Sequence, residues 1–305
     1  KDSLEKYYID LKAKSLLVLN REDGLISTMT GKVNDQVLQS IYLFDKNNPM
    51  ITSTLKDIVD WPPGSFATDG TGERDNYEMK EINTVVNAFH CYGLVLLGKI
   101  AKVLNQTEDA KLFEKQSEKV KSTINNKLFD KKLGLYKDGE GTDHISLHGN
   151  MIPLAFDLVP PACKKGISEY LQTRGMVCSV YGAQYLLEAL YQNGGADYAL
   201  KLMTDQGSRG WYNMIKSGAT MTMEAWDIKY KKNLDWNHAW GAVPGNIIPM
   251  YLMGIRPLDP GFAKVTIQPQ ISTLEYAEIK FPTMRGPIEL KIKNVNQSLT
   301  YEITL

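Results

Sequence analysis

The chain has 305 residues, 43% of them hydrophobic, which suffices for one large domain with a satellite or for two ordinary domains. Lys plus Arg and Asp plus Glu both total 35, so the formal net charge is zero, and no basic run supplies the electrostatic footprint that phosphate backbones or anionic lipids attract. Nucleic acid and membrane are thereby set aside as partners, and no apolar run approaches the roughly 20 residues of a membrane span.

The N-terminal stretch KDSLEKYYIDLKAKSLL reads as an amphipathic helix rather than a signal peptide. Residues 81–104 carry one apolar set at Val85, Phe89, Tyr92, Leu96, Ile100 and Val103 and a second at Val86, Leu97, Ala101 and Leu104. A helix apolar nearly all round is expected to be buried. Residues 108–128 place Leu112, Phe113, Val120, Ile124 and Leu128 on one stripe among Glu, Lys and Asn, the pattern of an outer helix with one wet face. Helices continue over 182–193, 196–204 and 241–253, broken by glycines at Gly194-Gly195 and between Gly207 and Gly210. After Gly254 the period changes to two. KVTIQ, AEIKF, PIELKIK and SLTYEITL alternate apolar and polar residues between proline and glycine turns, which predicts an antiparallel β domain of four or five strands. The predicted domains are therefore 1–254, helical, and 255–305, β.

Between the helices lie long non-periodic segments, DIVDWPPGSFATDGTGERDNYE, GTDHISLHGNM and RGWYNMIKSGATMTMEAWDIKYKKNLDWNHAWGA. Such loops in a compact domain are usually functional. Four of the five tryptophans, Trp211, Trp226, Trp236 and Trp240, fall in the last one, mixed with Glu224, Asp227, Asp235, Asn237 and His238. Flat aromatic faces beside carboxylates and imidazole suit a sugar, because a pyranose ring offers an apolar C–H face and a rim of hydroxyls. A single Glu is ordinarily a solvated surface residue. Glu224, however, is the only charged residue from Ser217 to Trp226, and desolvation there would raise its pKa toward general acid or base work near neutrality.

Other candidates have plainer readings beside the functional one. Asp60-Trp61-Pro62-Pro63 could be a turn anchored by Trp61, and Glu73-Arg74-Asp75 a local ion pair on a loop surface. Histidines such as His148 and His238 are commonly satisfied core residues; His238, next to Asn237 and three aromatics, is the better functional candidate. The four histidines and three cysteines form no ligand spacing, so no metal and no cofactor is expected. Cys91, Cys163 and Cys178 read as small buried hydrophobes.

The strings LKDIVDWP, NTVVNAFH, HISLHGNMIPLAFDLVP, RGMVCSVYGAQYLLEALY, RGWYNMIKSGATMTMEAWD and DWNHAWGA, followed by GIRPLDPGF, resemble the second half of the catalytic domain of family 78 glycoside hydrolases, the α-L-rhamnosidases. The motifs that carry the resemblance most specifically are G-A-T-x-x-x-E-x-W-D at Gly218 to Asp227 and N-H-x-x-G at Asn237 to Gly241.

The resemblance implies a mainly α fold, an (α/α)6 toroid followed by a small C-terminal antiparallel β-sandwich. It also implies an inverting, metal-free exo-hydrolysis of terminal α-L-rhamnosyl residues from glycans or glycosides. In that scheme Glu224 is the base that activates water, Asp60 and Trp61 sit at the subsite of the terminal sugar, and His238 contacts it; Trp211, Trp226 and Trp240 complete the expected aromatic lining. The family's acid motif, D-x-P-x-R-x-E, does not occur between Lys1 and Asp60, and the helices fall short of twelve. The chain is therefore expected to begin inside the toroid, with the acid upstream of Lys1. Another sugar on the same toroid, or a carbohydrate-binding fragment that hydrolyses nothing, are the alternatives. A periplasmic or extracellular location is expected from the resemblance, with a cytoplasmic one as the alternative.

Overall fold

The computed structural model describes residues 1–19, 21–27, 34–40, 42–48, 57–62, 72–296 and 298–305. Pro63 of the Asp-Trp-Pro-Pro string and Leu55-Lys56 before it lie outside the described residues. The chain forms two compact units, residues 1–59 with 76–163, and residues 60–75 with 164–305.

The first unit is built on α1 (Asp2–Leu17), α2 (Asp35–Ser40), α3 (Thr84–Val103) and α4 (Thr107–Lys127). A hairpin of β1 (Phe129–Asp130) and β2 (Leu135–Tyr136) follows, and then α5 (Leu147–Ala155). α1 is mostly exposed and inserts Tyr8, whose hydroxyl donates to Asp109 at 2.7 Å. α3 starts where Asn83 accepts the Val86 N–H at 2.9 Å, an N-cap that satisfies an otherwise orphaned donor.

α3 departs from the all-round burial expected of it. Its buried stripe is Thr84, Val85, Asn87, Ala88, Cys91, Leu94, Leu97, Gly98 and Ala101, whereas Phe89, Leu96 and Val103 are exposed. On the buried face small residues let α4 approach until a Cβ at Gly98 would touch Phe113 Cβ at 3.6 Å. α4 shows the expected single stripe, burying Phe113, Val120 and Ile124. α3 is also long and apolar enough to cross a membrane by length and composition, and half of that stretch is buried. That length of apolar helix is missed when only unbroken apolar runs are counted, because Lys99 and Lys102 interrupt it.

α5 corrects the reading of GTDHISLHGNM as a loop from Leu147 onward, while residues 141–146 are non-helical as expected. Every residue of α5 is buried, including His148 and Asn150, and the polar groups of Ser146 and Asn150 are used locally. Ser146 caps the helix by accepting the Gly149 N–H at 3.1 Å, and Asn150 accepts the Tyr136 N–H and donates to the Tyr136 carbonyl.

The second unit contains α6 (Lys164–Arg174), α7 (Ala183–Gln192), α8 (Ala196–Met203), α9 (Trp211–Lys216) and α10 (Pro244–Ile247), the last running into a π-helical turn at Ile248–Leu252. α7 is its core helix, burying Ala183, Leu186, Leu187, Ala189, Leu190 and Tyr191 against α6, α8 and α10. The expected single helix over 241–253 is thus divided among short turns. Pro244 starts α10 at a position that needs no N–H, and Pro249 lacks the N–H that a continuous α-helical ladder would require.

The strands after Gly254 are antiparallel. β3 (Ile255–Pro257) pairs with β4 (Val265–Ile267), and β5 (Tyr276–Thr283), β6 (Gly286–Val295) and β7 (Ser298–Thr304) form a sheet in that order. Ile279 faces Leu290, and Leu290 faces Ile303. The central strand buries Ile288, Leu290 and Ile292, as an alternating pattern requires. Among the described residues from 80 to 250, the one ladder is the antiparallel β1–β2 pair.

Candidate functional site

The site lies within the second unit and is assembled from loop 60–62, the start of α7 and the segment 209–241. Asp60 fixes the first loop. Its carboxylate is 3% exposed and accepts the Ser179 N–H at 2.9 Å, the Ser179 hydroxyl at 2.5 Å and the Trp61 N–H at 2.8 Å. Ser179 Oγ in turn accepts the N–H groups of Tyr181 and Gly182 at the start of α7. Gly182 has to be glycine, because a Cβ there would stand 2.7 Å from Asp60 Oδ2. Asp60 is therefore anchored by Ser179 and the Trp61 N–H, and through the latter it orients Trp61.

Trp61 Nε1 donates to Glu224 Oε1 at 3.2 Å, so the structure brings these two expected residues together. Glu224 Oε2 accepts the Asp235 N–H at 3.0 Å and sits 2.9 Å from Lys231 Nζ. The backbone that presents Glu224 is paired with the segment leading to His238. Glu224 N–H donates to the Asp235 carbonyl at 2.9 Å, and His238 N–H to the Thr222 carbonyl at 2.7 Å.

Both sequence motifs have a local cause. Gly218 has φ +85 and ends α9 in a left-handed conformation. Gly241 admits no Cβ, which would meet the Met223 carbonyl oxygen at 2.9 Å, and its own carbonyl accepts Trp211 Nε1–H at 2.7 Å.

Burial alone would push the Glu224 carboxyl up, as composition suggests. The hydrogen bonds from Lys231, the Asp235 N–H and Trp61 outweigh it, and the group is held below its usual value of 4.5. This overturns the raised pKa expected from its apolar neighbours in sequence. An ionised carboxylate near neutrality can accept a proton and cannot donate one.

The tryptophans separate by depth. Trp226 is fully buried, with Nε1 donating to the Cys178 carbonyl at 2.7 Å, so it supports the site from behind and is corrected from a sugar platform to a core anchor. Trp211 stands edge-on to it at 4.8 Å. Trp240 is 62% exposed, with His238 edge-on at 5.2 Å and Tyr181 tilted at 5.3 Å. Tyr181, itself 40% exposed, continues to Tyr185 at 5.8 Å.

Glu73-Arg74-Asp75 is not a surface ion pair. Glu73 is fully buried, neither carboxylate oxygen has a hydrogen-bond partner among the described residues, and Arg209 Nη1 stands 3.7 Å away. Burial pushes this carboxyl well above the ordinary 4.5, against the pull of Arg209. Arg209 also donates to the Gly72 carbonyl at 2.8 Å and lies over the Tyr230 ring at 4.2 Å. Arg74 donates to the Asp60 carbonyl at 2.7 Å, and Asp75 pairs with Arg174 at 2.5 Å.

Sequence reasoning missed Lys231, Arg209 and Tyr181. In KYKKN nothing distinguishes Lys231 from Lys232, and the turns closed by Tyr230 N–H to Asp227 and Leu234 N–H to Lys231 decide which one turns inward. Among the described residues no group of three His, Cys, Asp or Glu side chains could hold a metal ion.

The profile of the bacterial alpha-L-rhamnosidase 6 hairpin glycosidase domain matches residues 39–252, and that of the bacterial alpha-L-rhamnosidase C-terminal domain matches residues 254–305. The chain belongs to the bacterial α-L-rhamnosidase six-hairpin glycosidase family. A curated α-L-rhamnosidase of Alteromonas sp. (strain LOR) is 25% identical over 276 residues, covering 85% of this chain and 29% of the relative. The family 78 rhamnosidase of Bacillus sp. GL1 superposes with a TM-score of 0.73 at 20% identity, over 98% of this chain and 29% of that one. The Streptomyces avermitilis α-L-rhamnosidase, solved with L-rhamnose, gives a TM-score of 0.64 at 17% identity, over 96% of this chain and 31% of that one. The chain thus spans under a third of the length of these family members, with the family's six-hairpin domain followed by its C-terminal β domain.

Proposed function

We propose that this chain forms part of an inverting glycoside hydrolase that removes terminal α-L-rhamnosyl residues from glycans or glycosides. The observation that supports the reading best is Glu224: an ionised carboxylate held by three donors, on a ribbon shared with His238, whose ring stands edge-on to the exposed ring of Trp240. Family membership narrows the sugar to rhamnose.

In this mechanism a water stands between Glu224 and the anomeric carbon. As its oxygen bonds to that carbon, Glu224 takes its proton, and the glycosidic bond breaks on the opposite face with protonation of the leaving oxygen by a second carboxyl group. Glu73, whose carboxyl burial pushes upward, is walled in and cannot reach a leaving group. Trp61 orients the base, and Trp240 and His238 offer a ring face and an imidazole to the sugar. A glycan substrate of this kind also favours a periplasmic or extracellular site of action, which cell fractionation would check.

The test uses the protein carrying this chain and an aryl α-L-rhamnoside. Glu224→Gln is expected to lower kcat by about 10²–10⁴-fold with KM little changed, because the amide keeps the shape but accepts no proton from water. Proton NMR of the wild-type reaction should show β-L-rhamnose as the first product. Retention of configuration, or undiminished turnover in Glu224→Gln, removes Glu224 from this role. Rhamnose binding by calorimetry without any hydrolysis would reduce the protein to a sugar-binding one.

A further inference from the structure

A carboxylate offers about four lone-pair positions, and three of those on Glu224 carry donors. Oε2 holds two, Lys231 Nζ at 2.9 Å and the Asp235 N–H at 3.0 Å, whereas Oε1 holds one, Trp61 Nε1–H at 3.2 Å. The open position is therefore on Oε1. Lys231 is itself saturated: its three ammonium protons face Glu224 Oε2, the Asn233 carbonyl at 3.1 Å and Asn233 Oδ1 at 3.3 Å. Its side chain is 8% exposed and that of Glu224 12%, so the pair is shielded from salt and the ammonium has no spare proton for a ligand.

We infer that Lys231 is a positioning residue for the base: it fills Oε2, fixes the carboxylate plane and leaves Oε1 as the oxygen that meets water. The inference rests on Glu224 being the base. Lys231 is the one charged side chain acting on Glu224 among the described residues; loop 60–62 contributes the neutral Trp61 indole, and Asp235 acts through its backbone N–H. Asp60 on that loop spends its carboxylate on Ser179 and the Trp61 N–H. Without Lys231, burial would dominate and the carboxyl would take up a proton at higher pH.

The experiment follows the Glu224 side-chain carboxyl carbon by ¹³C NMR in the whole chain, with its resonance assigned by loss in Glu224→Gln. The wild type should titrate below the ordinary 4.5. Lys231→Met should titrate about 1–3 pH units higher. Lys232→Met removes the same charge from an exposed neighbour and should not move the resonance. Asn233→Ala, which loosens the ammonium without removing it, should raise it by a smaller amount, and it decides the matter if circular dichroism shows Lys231→Met unfolded.

An unmoved resonance in Lys231→Met, or in Asn233→Ala where Lys231→Met does not fold, overturns the inference. So does an equal shift in Lys232→Met. In the turnover assay, the acid limb of kcat/KM should rise with the NMR titration in Lys231→Met. Because the NMR readout needs no turnover, a moved titration together with an active Glu224→Gln would sink the general-base reading and leave the pairing intact. An unmoved titration with an inactive Glu224→Gln would do the reverse.

Discussion

Asp60 shows how a residue of a recognisable motif is tied into the fold around it. Its carboxylate collects the Ser179 N–H, the Ser179 hydroxyl and the Trp61 N–H in a place with almost no solvent. Asp60→Ala strands those donors, and a buried unpaired donor costs about 1–3 kcal/mol. The variant should therefore unfold at distinctly lower urea, losing about 3 kcal/mol if the stranded donors are partly rehydrated. Asp60→Asn keeps an acceptor for one of them and should lose less. Equal stability of Asp60→Ala and the wild type would contradict this anchoring role. The chemical character of the site was legible here: Glu224 stands out as the lone charge in an apolar stretch, and the aromatics crowd one segment. Depth was not, since Trp226 and Trp240 are alike in sequence context and opposite in exposure. The sign of the Glu224 shift was also hidden, because it depends on a lysine that only the fold of the following turn brings in.

At the scale of elements, period carried the reading where one face meets water. α4 and the strands β5 to β7 could be read because polar residues alternate with buried ones at 3.6 or 2. α5 could not, since His148, Gly149, Asn150 and Pro153 break any apolar period and their burial is made tolerable by partners such as Ser146 and Tyr136. The junction after the last helical turn offers an expectation of its own. Gly254 has φ +70, and a Cβ there would lie 2.1 Å from the backbone of Gln268, whose N–H donates to the Gly254 carbonyl at 3.0 Å. A side chain at that position meets both an unfavourable φ and immovable backbone. Gly254→Ala should cost at least about 2 kcal/mol. Gly245→Ala, in α10 with open space around it, should be neutral or stabilising by about 0.4–1 kcal/mol. Comparable melting temperatures for the two variants would contradict this account.

Across the whole molecule, half-buried His90 and buried Glu73 give the units opposite responses to pH. In the first unit, burial of His90 in α3 drives its pKa from 6.5 down to about 4, against a raising contact with the Gly24 backbone. Between those values the unfolded chain binds a proton that the folded unit refuses, so stability is complete above pH 6.5 and falls as pH drops toward 4. In the second unit, burial raises the Glu73 carboxyl well above 4.5; Arg209 opposes this and Asp60 adds to it. There the folded state keeps a proton that the unfolded chain releases, so that contribution is complete below pH 4.5 and is lost as pH rises. Glu224 has the reverse sign, with its stabilisation present above 4.5 and lost only as pH falls below that, so it does not mask Glu73 at higher pH. Hydrogen exchange read by mass spectrometry, corrected for intrinsic rate, should separate the units between about pH 5 and about pH 7. Protection of α3 peptides should increase over that interval while protection of peptides from 209–216 decreases. His90→Gln should flatten the first trend and Glu73→Gln the second, each without touching the other. If both units change in the same direction, or if Glu73→Gln leaves the second trend in place, the buried Glu73 carboxyl is not the proton-holding group that the structure makes it.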